Sequence, residues 1–255
     1  REVLYGETRL RLDLPEEKLP ILEDLGIEQL VLIPFDKKLS KLSAEKFIKN
    51  ILINQLQAKS ISVGANFRFG FKRSGDINTI RVATKDMDIK LKIISILEDN
   101  EGRISSSRVR DLLQKSDLKN AFKILNRPYS FKGKVVKGKG IGKSLGFPTA
   151  NLEIDGRKFL PGEGVYAAWS TINNSSNKIA SVMNLGSQPT IDPLLPSAVE
   201  VHLISKEINL YGQNLSVEPI EKIRSQIKFQ NIDQLSNQIS KDRENALKIL
   251  CKHNK

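Results

Sequence analysis

The feature that most constrains this chain is a change of hydrophobic period at Asn126-Arg127-Pro128. Before that point, apolar residues at helical spacing alternate with short, continuously apolar runs. After it, short β-type segments follow one another between Gly, Pro and Asn. The first pattern predicts a parallel, doubly wound α/β half whose strands are covered on both faces. The second predicts a small antiparallel barrel. The chain therefore divides into residues 1–127 and 128–255, with no internal repeat and no low-complexity tract.

In the first half, Pro15 to Gly26 places Leu19, Ile21, Leu22 and Leu25 at helical spacing, with Gly26 as a stop. "EQLVLIPF" reads as a buried strand. A helix from Ser43, a good N-cap, carries Phe47, Ile51 and Leu56 on one face. "SISVGANF" and "IKLKIISIL" read as strands on either side of a helix over "GDINTIRVATKDMD", and "SSSRVRDLLQKS" and "DLKNAFKILN" as two short helices. In the second half, "SFKGKVVKG", "GVYAAWSTI", "NKIASVMNLG", "SAVEVHLIS" and "LSVEPIEKI" read as strands. A closing amphipathic helix presents Ile232, Leu235, Ile239, Ala246, Ile249 and Leu250.

The charge of +12 raises the question of nucleic acid. The 41 basic residues are spread along the whole chain, and four Tyr and one Trp leave few stacking platforms, although ten Phe remain. A diffuse positive field suits a protein that handles phosphate ligands, so no nucleic-acid partner is expected. A single cysteine, Cys251, excludes an intramolecular disulfide, and His202 and His253 form no cluster. No apolar run is long enough to cross a bilayer. The expectation is a cytoplasmic protein without membrane contact, of a state of assembly that the sequence leaves open.

"GKGIGKSLGFPTANL", residues 138–152, looks built for phosphate, yet it is not a Walker A loop. Gly142-Lys143-Ser144 supplies the end of that motif, but Lys137 stands where its first Gly belongs, and the loop lies between β segments instead of opening a helix. On its own it fits a surface hairpin as well as a binding loop. Glu200 raises a similar ambiguity. Val199, Val201 and Leu203 alternate with Glu200, His202 and Ile204, so one strand face presents a carboxylate. A lone strand Glu is ordinarily a solvated one.

Continued into "LGFPTANL", the loop resembles the riboflavin kinase family, whose signature is a Gly-rich basic loop running into Pro-Thr-Ala-Asn. "GEGVYAAW", "NLGSQPTI", "VEVHLI", "LYG" and "IRSQIKFQNIDQL" follow in that family's order. The resemblance implies a six-stranded antiparallel barrel with a C-terminal helix, which transfers the γ-phosphoryl of ATP to the 5′-hydroxyl of riboflavin to give FMN. By resemblance, Thr149 and Asn151 bind Mg²⁺ and phosphate, and Gly138, Gly140 and Gly142 let backbone approach the nucleotide. Lys143 adds charge over the phosphates. Glu200 is the base, and Arg224 and the segment through Phe229 and Asn231 form a flap over flavin and nucleotide. His202 shares the parity of Glu200 and is read as structural or supporting. The expected partners are small molecules: riboflavin, ATP and FMN.

The first half resembles the adenylyltransferase module that bacterial enzymes fuse ahead of this kinase, through "ISVGANFRFGFKRSGD" and "ISSSRVR". That resemblance implies an incomplete Rossmann-like nucleotidyltransferase domain, with Ser106, Ser107 and Arg110 at a helix start suited to phosphate. "SSSR" alone reads equally as a simple N-cap. The module's H-x-G-H does not occur in these residues. The expectation is a chain shortened at its N-terminus that forms FMN but little or no FAD. Two competing readings are a non-catalytic flavin- or nucleotide-binding remnant and a basic barrel that binds nucleic acid.

Overall fold

A computed structural model describes residues 10–138, 141–173, 175–186, 199–204 and 208–253, with residues 141 and 143 described by backbone alone. In chain order the helices are α1 (Pro15–Asp24), α2 (Lys37–Ser40), α3 (Ala44–Lys46), α4 (Ile77–Ala83), α5 (Ser106–Gln114), α6 (Leu118–Leu125), α7 (Ile141–Ser144) and α8 (Ile232–His253). The strands are β1 (Ser60–Gly64), β2 (Lys90–Ile94), β3 (Glu98–Asp99), β4 (Gly102–Arg103), β5 (Phe131–Val136), β6 (Ala150–Glu153), β7 (Gly164–Ile172), β8 (Ile179–Leu185), β9 (Val199–Leu203) and β10 (Asn214–Arg224). The chain forms two compact units: Gln29–Ile104, and Leu10–Glu28 together with Ser105 onward.

In the first unit β1 and β2 pair in parallel, from Ser60 opposite Lys90 to Gly64 opposite Ile94, with α4 on the crossover between them. Ala44, Ile48, Ile61, Phe69 and Ile80 form its core. Asp76 caps α4 by accepting a hydrogen bond from the Thr79 N–H at 3.0 Å.

Three expectations are corrected here. "EQLVLIPF" is not a strand: residues 27–36 carry no regular structure, and Leu30 to Ile33 and Phe35 are exposed. This apolar run pairs with neither strand of the described β1–β2 sheet. The helix begun at Ser43 turns into a π-helix over Phe47–Gln55. With i→i+5 bonds, as from Leu56 N–H to the Ile51 carbonyl at 2.9 Å, its buried stripe becomes Ala44 and Ile48, and Leu56 is exposed. On α1 the buried residue is Glu17, whereas Leu19 and Leu25 face solvent.

In the second unit six antiparallel strands close into a barrel in the order β10-β5-β6-β9-β8-β7. Inward-facing side chains alternate along each strand and fill the interior, among them Phe131, Leu152, Tyr166, Met183, Val201 and Leu215. α8 covers part of the outer surface, where Ala246 and Leu250 pack on Val165, Ala167, Val182 and Ile204. Val109, Leu113, Leu118 and Ala121 of α5 and α6 join the interior cluster. Asn126 ends α6 in the left-handed conformation, φ 53°, immediately before the change of pattern at Arg127-Pro128.

Residues 10–17 are fastened to the same unit by polar bonds. The Arg11 N–H donates to the Arg157 carbonyl at 2.7 Å, and Arg127 Nη2 donates to both carboxylate oxygens of Asp13 at 2.8 Å. Lys158, with 0% exposure, donates to the carbonyls of Leu12 and Ser130 and to Glu17 Oε2 at 2.7 Å. Its ammonium also sits 4.7 Å from the centre of the Tyr129 ring.

Candidate active site

Antiparallel register assembles the site from residues far apart in sequence. Val136 pairs with Asn151, Asn151 with Glu200, Glu200 with Asn184, Asn184 with Val165, and Val165 with Arg224. These six positions form one row around the barrel. Their sequence neighbours Ala150, Leu152, Val199, Val201, Met183 and Leu185 are interior, so the row lies on the outer surface. Glu200 thus stands between two amides, and each of the three is part-buried.

The β5–β6 connection lies beside this row. The Phe147 N–H bonds the Gly142 carbonyl at 2.8 Å, and the Leu145 N–H bonds it at 3.2 Å, folding the loop on itself. A Cβ at Gly142 would fall 2.5 Å from the Phe147 carbonyl oxygen and 3.1 Å from Thr149 Oγ1. A Cβ at Gly138 would fall 2.0 Å from Asn151 Nδ2. Both glycines therefore make room for the polar residues at the end of their own loop. A cavity of about 740 Å³ opens here, with Lys137, Gly146, Thr149, Val201, Leu210 and Tyr211 among its walls. That volume suits a nucleotide-sized ligand.

Thr149, Asn151 and Glu200 are not committed to any hydrogen bond between described side chains. A hydroxyl and an amide oxygen, both hard donors, fit Mg²⁺, which takes few protein ligands and shares substrate phosphates. No group of three or more His, Cys, Asp or Glu side chains that could cage a metal occurs among the described residues.

Other predicted residues are placed as follows. Gly140 lies outside the described residues, and Lys143 is described by backbone alone, in α7. Arg224 is bound by Asp242 of α8: Nε to both carboxylate oxygens at 3.0 Å, and Nη2 to Oδ2 at 2.7 Å. Gln238 donates a further bond to Asp242 at 2.9 Å, and the Phe229 ring lies 5.9 Å from the guanidinium. Ser106 and Ser107 open α5, but Ser105 is the cap, accepting from the Arg108 N–H at 3.3 Å. Arg110 donates to the carbonyls of Leu10 and Ser106. Neither the Asn151–Glu200 row nor the cavity wall includes these three.

Sequence reasoning passed over Asn184, Gln226 and Asp242. Gln226 donates to Asn184 Oδ1 at 2.8 Å and to the Leu185 carbonyl at 2.9 Å, tying the segment after β10 to the row. Asp242 had a legible signal: with Ile239, Ala246 and Leu250 it occupies the apolar stripe of the last helix, where a carboxylate needs a buried partner.

The site is therefore a part-buried outer row of a closed six-stranded barrel, with a cavity at the adjoining loop. Residues 125–250 match the riboflavin kinase family model and residues 1–108 the FAD synthetase model. The chain is 36% identical to the bifunctional riboflavin kinase/FMN adenylyltransferase of Haemophilus influenzae over 96% of this chain and 79% of that protein. It is 33% identical to the Escherichia coli K12 protein of the same name, over 92% of this chain and 72% of that one. A crystal structure described as a macrolide-efflux protein from Streptococcus pneumoniae superimposes with a TM-score of 0.80 at 30% identity, covering 92% of this chain and 75% of that one. The chain belongs to the bacterial bifunctional riboflavin kinase/FMN adenylyltransferase family. No helix among the described residues is long and apolar enough to cross a membrane.

Proposed function

We propose that residues 128–255 phosphorylate riboflavin with ATP at a site formed by Thr149, Asn151 and Glu200, with residues 1–127 as the adenylyltransferase half. The observation that carries this reading is the register that sets Glu200 directly opposite Asn151, beside the cavity that Thr149 lines. Phosphoryl transfer needs positioning and charge stabilisation more than covalent help from the protein. Glu200 accepts the proton of the riboflavin 5′-hydroxyl as that oxygen bonds to the γ-phosphorus and the bond to ADP breaks. Asn184 and Asn151 flank the carboxylate on the two neighbouring strands. Thr149 and Asn151 would hold Mg²⁺, which when bound neutralises charge on the phosphates. The Gly138 and Gly142 backbone admits the nucleotide closely, Lys143 adds charge above it, and Gly140 belongs to the same loop. Arg224, oriented by Asp242, stands at the flap.

The test is direct. Riboflavin with Mg-ATP should yield FMN, resolved by chromatography, and chelation of Mg²⁺ should stop it. FMN with Mg-ATP should yield little or no FAD, since no H-x-G-H occurs in these residues; in that half Ser106, Ser107 and Arg110 are proposed only as phosphate contacts. Folded protein that binds flavin tightly and forms no FMN would favour the remnant reading.

A further inference from the structure

His202 is the outward-facing residue two positions beyond Glu200 on β9, read from the sequence only as structural or supporting. It is buried, at 8% exposure. Its Nδ1 lies 2.9 Å from the Pro148 carbonyl oxygen, and its ring meets the edge of Phe147 with centroids 5.8 Å apart. A carbonyl only accepts, so Nδ1 carries the proton and donates. Nε2 is then an acceptor, buried without a partner among the described residues. Burial holds the imidazole below the ordinary histidine range against the Pro148 bond, and Arg243 adds to that effect. The neutral tautomer with the proton on Nδ1 is the one that this environment retains.

The position of this bond gives it significance. Pro148 immediately precedes Thr149, and Phe147 is the residue whose N–H closes the loop on Gly142. Proline has no N–H of its own, so its carbonyl is the one backbone group by which residue 148 can be gripped. One strand thus carries the carboxylate at 200 and, two residues on, the donor that fixes the end of the Gly-rich loop. We propose that His202 is a positioning residue, which through its Nδ1–H bond to Pro148 and its contact with Phe147 fixes Thr149 and the nucleotide-binding loop relative to Glu200. This rests on the assignment of that loop to ATP. It goes further by naming the group that sets the loop and the ring nitrogen responsible.

The two ring nitrogens can be separated by substitution. An asparagine amide nitrogen falls near the Nδ1 position, and a glutamine amide nitrogen falls near Nε2. His202→Asn should therefore keep the latch, while His202→Gln and His202→Ala should lose it. For the losing variants the expected result is a KM for ATP raised about 5- to 10-fold, the worth of one buried hydrogen bond, with KM for riboflavin changed less than about twofold. His202→Asn should stay within about twofold of the parent on both. Thermal melts of each variant provide the control for folding. Phe147→Leu, which alters the loop side and leaves the histidine in place, should raise KM for ATP in the same direction. Asparagine falling as far as glutamine, equal losses for both substrates, or unchanged kinetics in all variants would each overturn the proposal. Calorimetric binding of Mg-ADP to parent and variants tests the latch independently of turnover. If the parent makes no FMN but the glutamine variant still binds Mg-ADP 5- to 10-fold more weakly, the kinase assignment fails and the latch stands.

Discussion

Asn151 and Glu200 are direct partners across the β6–β9 ladder, although 48 residues separate them along the chain. Side chains at such paired positions lie within about 5 Å of each other at their Cβ atoms. The ladder therefore fixes the distance between the phosphate side and the proton-accepting side of the site. Glu200→Gln keeps the shape and removes the base. It should lower kcat for FMN formation by about 10²- to 10⁴-fold while riboflavin and Mg-ADP binding stay near parental values. A loss of binding in step with kcat would assign Glu200 to substrate contact.

Gly138→Ala should act on Asn151. The added methyl would meet the amide at 2.0 Å, so the side chain must turn away. KM for Mg-ATP should rise by about tenfold, and the melting temperature should move little, because residue 138 is exposed. Titration of activity against Mg²⁺ checks the cause: the variant should need more of the ion for half-maximal rate.

Lys158→Met leaves the Glu17 carboxylate buried without its cation, with only the Leu14 N–H still bonded to Oε2, and Oε1 already lacks a partner among the described residues. Breaking a buried pair on one side costs about 3–5 kcal/mol, whereas replacing both partners by apolar groups is often neutral. Urea unfolding should show the full loss for Lys158→Met and recovery of most of it in Lys158→Met with Glu17→Leu.

His202 gives stability a pH dependence of known sign. Its folded-state pKa is lowered, so on acidification the unfolded chain takes a proton that the folded chain resists. Its contribution is fully present above about 6.5, the ordinary histidine value, and is lost progressively as pH falls from there to its folded pKa. The slope is at most about 1.4 kcal/mol per pH unit. Unfolding at pH 7.5 and 5.5 should show this loss in the parent and a smaller one in His202→Asn.

A fragment of residues 128–255 should fold less cooperatively than the whole chain. It lacks Leu12, Val109, Leu113, Leu118 and Ala121, which belong to the interior cluster, and it strands Lys158 without Glu17. Near-ultraviolet circular dichroism of fragment and parent during heating provides the comparison.

The barrel was legible because short β-type segments recur between Gly, Pro and Asn, and because Asn126 marks the end of the preceding helix. Period-two burial is clear in β5, although β7 is buried on both faces over its first five residues. The strand Ala150–Glu153 was hidden inside the loop motif, although Ala150, Leu152 and Ile154 alternate inward. The site residues Thr149, Asn151 and Glu200 were named from resemblance; only register shows why Asn151 and Glu200 meet. The failures have physical causes. "EQLVLIPF" has the composition of a strand but pairs with no described strand, and composition alone does not report pairing. Glu17 was overlooked because nothing local announces that Lys158, 141 residues away, will pair with it.

That long separation also sets an order of events. The bonds fastening residues 11–17 to the barrel span 114 to 146 residues, with Gln29–Ile104 of the other unit lying between their ends in sequence. Contacts of such span form slowly, because a long loop must close before any of them contributes. As the chain leaves the ribosome, Leu12 and Glu17 emerge long before Lys158. Until Lys158 follows, the barrel unit has no ammonium to receive that carboxylate. Completion of the barrel unit thus waits on residues made long after its first segment.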